Sequence, residues 1–402
     1  MKVCLHNGTI LNGISQMENC AVYFDGDTIT DVFSEKRFEE KKFDSDTQII
    51  DVHGSFIAPG LIDTHIHGFM GHGTDKCSTD GILSMARDLA QYGVTAFNPT
   101  IYPAPEEEML KTIRQIVAAK KEQEHCHNKE GKSVARAVCG AHIMGIHLEG
   151  PFISPEKLGV QRPETVKPVD LDLMDRLWEA SEGTIVNMTV APELKHMRHL
   201  ALNCIQKGIV LQAGHTNARY ENMVEGMQAG ILHTTHFFNA MSQMHHRDPG
   251  AVGAVLIHNE MTCEIIADGK HVHPDLFKLL IKDKTPDNII LITDALTPTE
   301  QKNGPLFANG EEVLFKDGCF HRKEDDVIAG SALTMIQGVK NLINFGMNRS
   351  EAIKCATVNP AKIMNYRKKG LLIPGYDSDI IVFDNNFNLQ ITAISGNLVK
   401  RI

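Results

Sequence analysis

Pro59-Gly60-Leu61-Ile62-Asp63-Thr64-His65-Ile66-His67-Gly68 is the stretch whose reading decides the fold. An apolar run ends in two histidines two residues apart, and glycine comes next. In a β-strand, residues i and i+2 point to the same side, so His65 and His67 aim their imidazoles at one point. The C-terminal end of a strand at the mouth of a parallel barrel is where ligands and metals sit. The chain has 20 histidines, so the pair gains its meaning from the company it keeps further along the chain.

Beyond residue 68, short apolar strands alternate with amphipathic helices. Strands are expected at 94–98, 142–148, 185–190, 209–213, 234–237, 263–267 and 289–293. Helices are expected at 79–91, 105–122, 171–181, 194–206, 219–229, 274–281, 332–345 and 350–365. Nearly continuous apolar strands separated by helices imply a parallel sheet covered on both faces. Counting the strand that ends at His65, there are eight, enough to close a (β/α)8 barrel of the TIM type over residues 57–365. An open doubly wound sheet is the rival. No Gly-x-Gly-x-x-Gly follows an early strand, and polar residues close many strands rather than one crevice.

Residues 1–56 read as short strands with turns at Asn7-Gly8 and Gly26-Asp27, with no helix start before residue 78, and residues 366–402 return to strands. The two ends are expected to pair as one small discontinuous β-sandwich domain. The polar stretch 122–133, with His125, Cys126 and His127, reads as an exposed loop.

Composition limits the function. At 402 residues, 42% hydrophobic and 22% charged, the chain is a globular protein with ample core. A formal net charge of −10 argues against nucleic acid or an anionic membrane as the main partner. No run of eighteen apolar residues appears, and the N-terminus has no signal-like apolar segment. Nine irregularly spaced cysteines fit reduced thiols in a cytoplasmic protein.

The chemistry lies at the strand ends. Glu149 follows the strand ending His147-Leu148, His215 follows Ala213-Gly214, His236 lies in Thr234-Thr235-His236-Phe237, and Asp294 follows the run 289–293. With His65 and His67, these are nitrogen and oxygen ligands of the kind that hold a catalytic divalent metal with an open coordination position. Such an ion polarises a carbonyl and acidifies water, and Asp294 is the candidate carboxylate to take the water's proton and hand it to a leaving amine. The residues alone therefore point to metal-assisted hydrolysis of an amide or similar bond.

The longer strings resemble a known family. His65-x-His67, the later single histidines and Asp294 are similar to the amidohydrolase superfamily. His147-Leu148-Glu149-Gly150-Pro151-Phe152, Ala213-Gly214-His215-Thr216, His236-Phe237-Phe238-Asn239-Ala240-Met241, Ile266-Ala267-Asp268-Gly269-Lys270-His271-Val272 and Thr293-Asp294-Ala295 resemble its N-acetylglucosamine-6-phosphate deacetylase family. The resemblance implies removal of the acetyl group from N-acetylglucosamine-6-phosphate. It implies a primary metal site of Glu149, His215 and His236, and a second of His65 and His67 with Glu149 bridging. One or two ions of zinc, iron, manganese or cobalt per subunit are compatible with these ligands. The resemblance implies that Asp294 would complete the metal constellation and serve as general base and acid. Asn239 and Ala240 would offer backbone amides to the sugar phosphate, and Arg247 charge-assisted contacts to it. Arg247 would reach a neighbouring active site in a homodimer. His271 would contact the sugar or polarise the acetyl carbonyl, and Ala329, Gly330 and Ser331 would lie near the acetyl group. Gln161 stands where many members carry a histidine, which leaves the sugar epimer open: N-acetylgalactosamine-6-phosphate or another acylamino sugar is an alternative. His72, His245 and His246 are further candidate ligands. Two other readings stand beside these: a metallohydrolase acting on a cyclic amide or an N-acyl amino acid, and a non-enzymatic barrel that binds no metal.

Overall fold

The computed structural model describes residues 1–128, 140–301 and 304–401. Eight parallel strands run Leu61–Ile66, Val94–Ile101, Ile146–Glu149, Ile185–Val190, Val210–Ala213, His233–Thr234, Thr262–Ile266 and Ile289–Ile292, each hydrogen-bonded to the next. The eighth returns to the first through the Asp294 N–H, which donates to His65 O at 2.9 Å, and through Thr293 Oγ1, which donates to Asp63 Oδ2 at 2.6 Å. This is the expected barrel. Most of its strands are buried along their whole length, as a sheet covered on both faces requires.

Helices coat the outside. Thr79–Gln91 starts at Ser78, whose hydroxyl accepts from the Gly81 N–H, and it buries Ile82, Met85, Ala86 and Leu89 on one face. Leu171–Ala180 is capped in the same way by Asp170. One coating helix, Gly250–Ile257, lies between the sixth and seventh strands where none is expected. Its sequence, Gly-Ala-Val-Gly-Ala-Val-Leu-Ile, is apolar all round, so it carries no 3.6-residue pattern to detect. The expected helix 350–365 is two, Arg349–Cys355 and Val358–Ile363. The stretch expected as a loop from 122 continues instead as the last turns of Glu106–Asn128. Residues 129–133, and the side chains of Cys126 and His127, lie outside the described residues.

Strands from both termini pair in one eight-stranded sheet. Lys2–Leu11, Gln16–Asp25 and Thr28–Ser34 form antiparallel pairs, and Ile380–Phe383, Leu389–Ile394 and Asn397–Arg401 join through Phe56–Pro59. The expected junction at 56/57 thus falls inside a strand of this sheet. A short helix, Glu35–Glu40, occurs where no helix is expected. A further antiparallel sheet of Phe307–Ala308, Glu311–Lys316, Cys319–Arg322 and Ile328–Ser331 is inserted between the eighth strand and its helix, Met335–Asn344. Its last strand lies beside the barrel mouth, where the Ser331 N–H donates to Asp294 O at 3.0 Å.

Candidate metal centre and active site

Backbone geometry turns the strand-end side chains inward. His215, His236 and Asp294 have φ of 44°, 27° and 49°, a left-handed conformation costly to non-glycine residues, of order 1–3 kcal/mol each. Each stands two residues past the end of a barrel strand, and all three line the cavity at the mouth. Gly214 makes room for this turn, since a Cβ there would lie 2.7 Å from the Thr235 side chain.

The predicted ligands converge. Glu149 Oε1 lies 3.1 Å from both His215 Nε2 and His236 Nε2, which are 3.2 Å from each other. Glu149 Oε2 lies 3.4 Å from His67 Nε2, and Oε1 lies 3.6 Å from His65 Nε2. Asp294 Oδ1 is 3.4 Å from the Nε2 atoms of both His65 and His67. Ligand atoms of two triads, His65/His67/Glu149 and Glu149/His215/His236, each lie within 4.8 Å of one another. Glu149 belongs to both.

The hydrogen bonds on the far side of each ring show what fits between them. His67 Nδ1 donates to Thr100 O at 3.1 Å and His215 Nδ1 to Lys157 O at 2.8 Å. A carbonyl can only accept, so both Nδ1 atoms carry the proton and both Nε2 atoms present lone pairs. Those lone pairs face carboxylate oxygens. His65 Nε2 is buried without a hydrogen-bond partner among the described residues. Lone pairs opposed to carboxylates are satisfied by a cation, and ligating histidines characteristically donate their second nitrogen in this way. The same field acts on protonation. Burial disfavours the His65 imidazolium, yet Asp294, Glu264 and Glu149 outweigh it and hold the group up at about 10. Burial likewise opposes ionisation of Glu149, but His215, His236 and His67 keep its carboxyl well below the usual range. Positive charge belongs at this point, and the donor set fits a divalent metal.

The centre forms the floor of a cavity of about 320 Å³. Gln161, Asn239, Ala240, His271, Tyr102 and Ala329 are among its walls. A larger groove, about 540 Å³, runs between Pro192–His199 and Asn222–Ala229, but neither metal-competent triad lies there. Gln161 donates Nε2–H to Glu149 Oε2 at 2.6 Å, so it orients the shared carboxylate as well as facing the cavity. His271 is held by Asp268, whose Oδ2 is 2.6 Å from Nδ1.

Some expectations change. The Asn239 N–H is already bonded to His236 O at 3.0 Å within a tight turn, leaving the Ala240 N–H as the amide of that pair able to face a ligand. Gly330 and Ser331 do not line the cavity: Ser331 is buried, and its hydroxyl bonds Thr293 O. Arg247 is exposed, outside this chain's own cavity, with Nη1 2.8 Å from His246 Nε2. His245 and His246 are exposed and His72 half-buried, and none joins a metal-competent cluster among the described residues. The histidine inside the third strand, His147, is no ligand. It bridges Thr100 and Thr189 hydroxyls, and burial together with His65 drives its pKa well below the ordinary value.

Sequence reasoning missed Tyr102, Asp268 and Glu264. Tyr102 stacks on His67 with ring centroids 3.7 Å apart and 5° between planes. Burial disfavours the His271 imidazolium, but the Asp268 carboxylate outweighs it and raises the pKa. Asp268→Asn removes that support, so His271 should lose its proton at lower pH. The pH limb of kcat/KM that reports His271 is expected to move downward, with a roughly ten-fold lower plateau for loss of a charge-assisted bond of about 1.5 kcal/mol. A pH-rate profile of the variant checks this, and an unmoved limb would contradict it.

Comparison with known proteins agrees with this geometry. The model of the Amidohydrolase family matches residues 56–399. The chain is 32% identical to N-acetylglucosamine-6-phosphate deacetylase of Bacillus subtilis (strain 168), over 86% of this chain and 84% of that protein. It is 31% identical to N-acetylgalactosamine-6-phosphate deacetylase of Escherichia coli O157:H7, over 86% and 88%. A mutant Mycobacterium smegmatis N-acetyl-D-glucosamine-6-phosphate deacetylase, solved in complex with N-acetyl-D-glucosamine-6-phosphate, superposes with a TM-score of 0.88 at 25% identity over 99% of each chain. With its barrel, its paired metal-competent triads and these relatives, the chain belongs to the amidohydrolase family, in its N-acetylglucosamine-6-phosphate deacetylase branch.

Proposed function

We propose that the protein hydrolyses N-acetylglucosamine-6-phosphate to glucosamine-6-phosphate and acetate. The observation that carries this is the meeting of Glu149, His215 and His236 within 3.2 Å at the floor of a cavity that Asp294 and His271 also face. A divalent cation of the zinc, iron, manganese or cobalt class would be held by Glu149, His215 and His236, with or without a second at His65, His67 and Glu149, and would supply Lewis acidity and acidify water near neutral pH.

The chain's own groups do the rest. Asp294 takes a proton from the attacking water and returns it to the amine nitrogen as the C–N bond breaks, so one water is consumed and acetate and a free amine leave. His271, oriented by Asp268, donates from Nε2 toward the sugar or its acetyl oxygen. Gln161 fixes the Glu149 carboxylate. The Ala240 N–H faces the phosphate-bearing end of the substrate. Arg247, exposed and outside its own cavity, supports reading the active unit as a homodimer in which it reaches the neighbouring site. Among the described residues no helix is long and apolar enough to cross a membrane.

The test is a panel of 6-phosphorylated acetylamino sugars with acetate release as the readout. Release from N-acetylglucosamine-6-phosphate, with unphosphorylated analogues poor, is expected; no release from any member sinks the reading. A second reading, N-acetylgalactosamine-6-phosphate as the preferred epimer, is favoured by the 31% identity to an enzyme of that name and by Gln161 at the cavity wall. The same panel decides between them. Arg247→Ala should raise KM about 10- to 100-fold with kcat nearly kept, because a charge-assisted contact to phosphate is worth about 1.5–3 kcal/mol. An unchanged KM would remove Arg247 from substrate binding.

A further inference from the structure

Beneath the ligand layer, one carboxylate has no role in the chemistry above. Glu264 is fully buried on the seventh strand. It accepts from Thr64 Oγ1 at 3.2 Å, from Gln212 Nε2 at 2.6 Å and from His65 Nδ1 at 3.3 Å. Gln212 is the last link of a chain that crosses the barrel. The Tyr366 hydroxyl donates to Asn98 Oδ1 at 2.6 Å, Asn98 Nδ2 to Asn187 Oδ1 at 3.2 Å, and Asn187 Nδ2 to Gln212 Oε1 at 2.9 Å. Asn98, Asn187 and Gln212 are fully buried. Every bond donates in the same sense, toward Glu264. With Gln212 and Thr64 both donating to Oε1, the carboxylate is held with Oε2 toward His65, and each link of the chain polarises the next.

The four imidazoles differ in what holds them. His67 and His215 rest on carbonyls, and His236 Nδ1 has no hydrogen-bond partner among the described residues. His65 rests on a carboxylate. A charged partner makes the ring a stronger donor at Nε2 and fixes its tautomer. It also adds negative charge on the side of the site where a second cation would be repelled by the first.

We propose that Glu264 is a positioning residue that sets occupancy of the His65/His67 half of the metal site, and that the Tyr366–Asn98–Asn187–Gln212 relay fixes the orientation of its carboxylate against His65. This rests on reading the site as a metal centre. Glu264→Gln keeps the shape and inverts the chemistry. Its amide N–H would face His65 Nδ1, which then becomes the acceptor, and the ring proton moves to Nε2, where it blocks coordination.

Metal content and chelator-competition titrations with Mn²⁺ or Zn²⁺ on the full chain test this. Wild type is expected to hold two ions per chain and Glu264→Gln one, with affinity for the second weakened about 10- to 100-fold and the first retained. Glu264→Asp should restore part of the second affinity. Tyr366→Phe, at the far end of the relay, should weaken the second ion by a smaller factor, and it supplies the test if Glu264→Gln does not fold. In the Mn²⁺-loaded protein, the spin-coupled two-ion signal seen by electron paramagnetic resonance should give way to that of an isolated ion in Glu264→Gln. A Glu264→Gln protein that keeps both ions at wild-type affinity overturns the inference, as does a wild type whose single ion is indifferent to His65→Ala. A wild type that binds no ion overturns the metal-centre reading beneath it.

Discussion

Glu149→Gln is expected to lose metal from both halves of the centre and to cut turnover by on the order of 10³-fold or more. The carboxylate is within 3.1–3.6 Å of all four imidazole Nε2 atoms, and among the described residues it is the side chain that both triads share. Glutamine preserves volume and can still accept at one oxygen. It removes the charge that His215, His236 and His67 hold in its ionised form. Lewis-acid stabilisation of developing oxyanion charge is worth several kcal/mol, and each 1.36 kcal/mol is a factor of ten. Metal per chain and acetate release are read together. Full metal content in the variant would remove Glu149 from the bridging position, and near-normal turnover would end the metal-hydrolase reading altogether.

The second large effect separates chemistry from assembly. In Asp294→Asn the amide keeps the shape of the side chain and a carbonyl oxygen where Oδ1 sits, 3.4 Å from the Nε2 atoms of both His65 and His67. The primary triad of Glu149, His215 and His236 is untouched, so metal there should stay at its wild-type level. What an amide cannot do is take a proton from water and return it to an amine. General acid–base catalysis contributes about 10²–10⁴-fold, and kcat should fall by that factor. Because ground-state binding groups remain, KM should change little. A kcat within a few-fold of wild type would assign the proton transfer to another group, with His271 the next candidate at the cavity wall.

Much of the architecture is legible in the chain alone. The Ser78 and Asp170 caps and the one-sided apolar faces behind them mark their helices. The buried strands announce themselves as apolar runs. Other features are written but weakly. Asp317-Gly318 lies between two alternating segments, Glu311–Lys316 and Cys319–Arg322, and is a hairpin signal that the inserted sheet obeys. A glutamate inside Thr262–Ile266, an otherwise buried strand, is the visible sign of Glu264. The Gly250–Ile257 helix has no periodic sign, because a segment buried on every side has no polar face to contrast with its apolar one. The Asn239 amide is suggested as a ligand by its neighbours in the chain, but the left-handed turn at Phe238 and Ala240, with φ of 78° and 49°, spends it internally.

By itself, then, the sequence determined the barrel, the order of its strands and the residue type at each strand end, because hydrophobic periodicity and turn chemistry act between near neighbours in the chain. Only the tertiary structure decided which nitrogen of each histidine faces the centre, that Gln161 grips Glu149, and that His65 rests on a carboxylate 199 positions away. Those facts depend on closure and tilt of the barrel, which bring distant side chains within hydrogen-bond range. No local pattern encodes a distance of that kind.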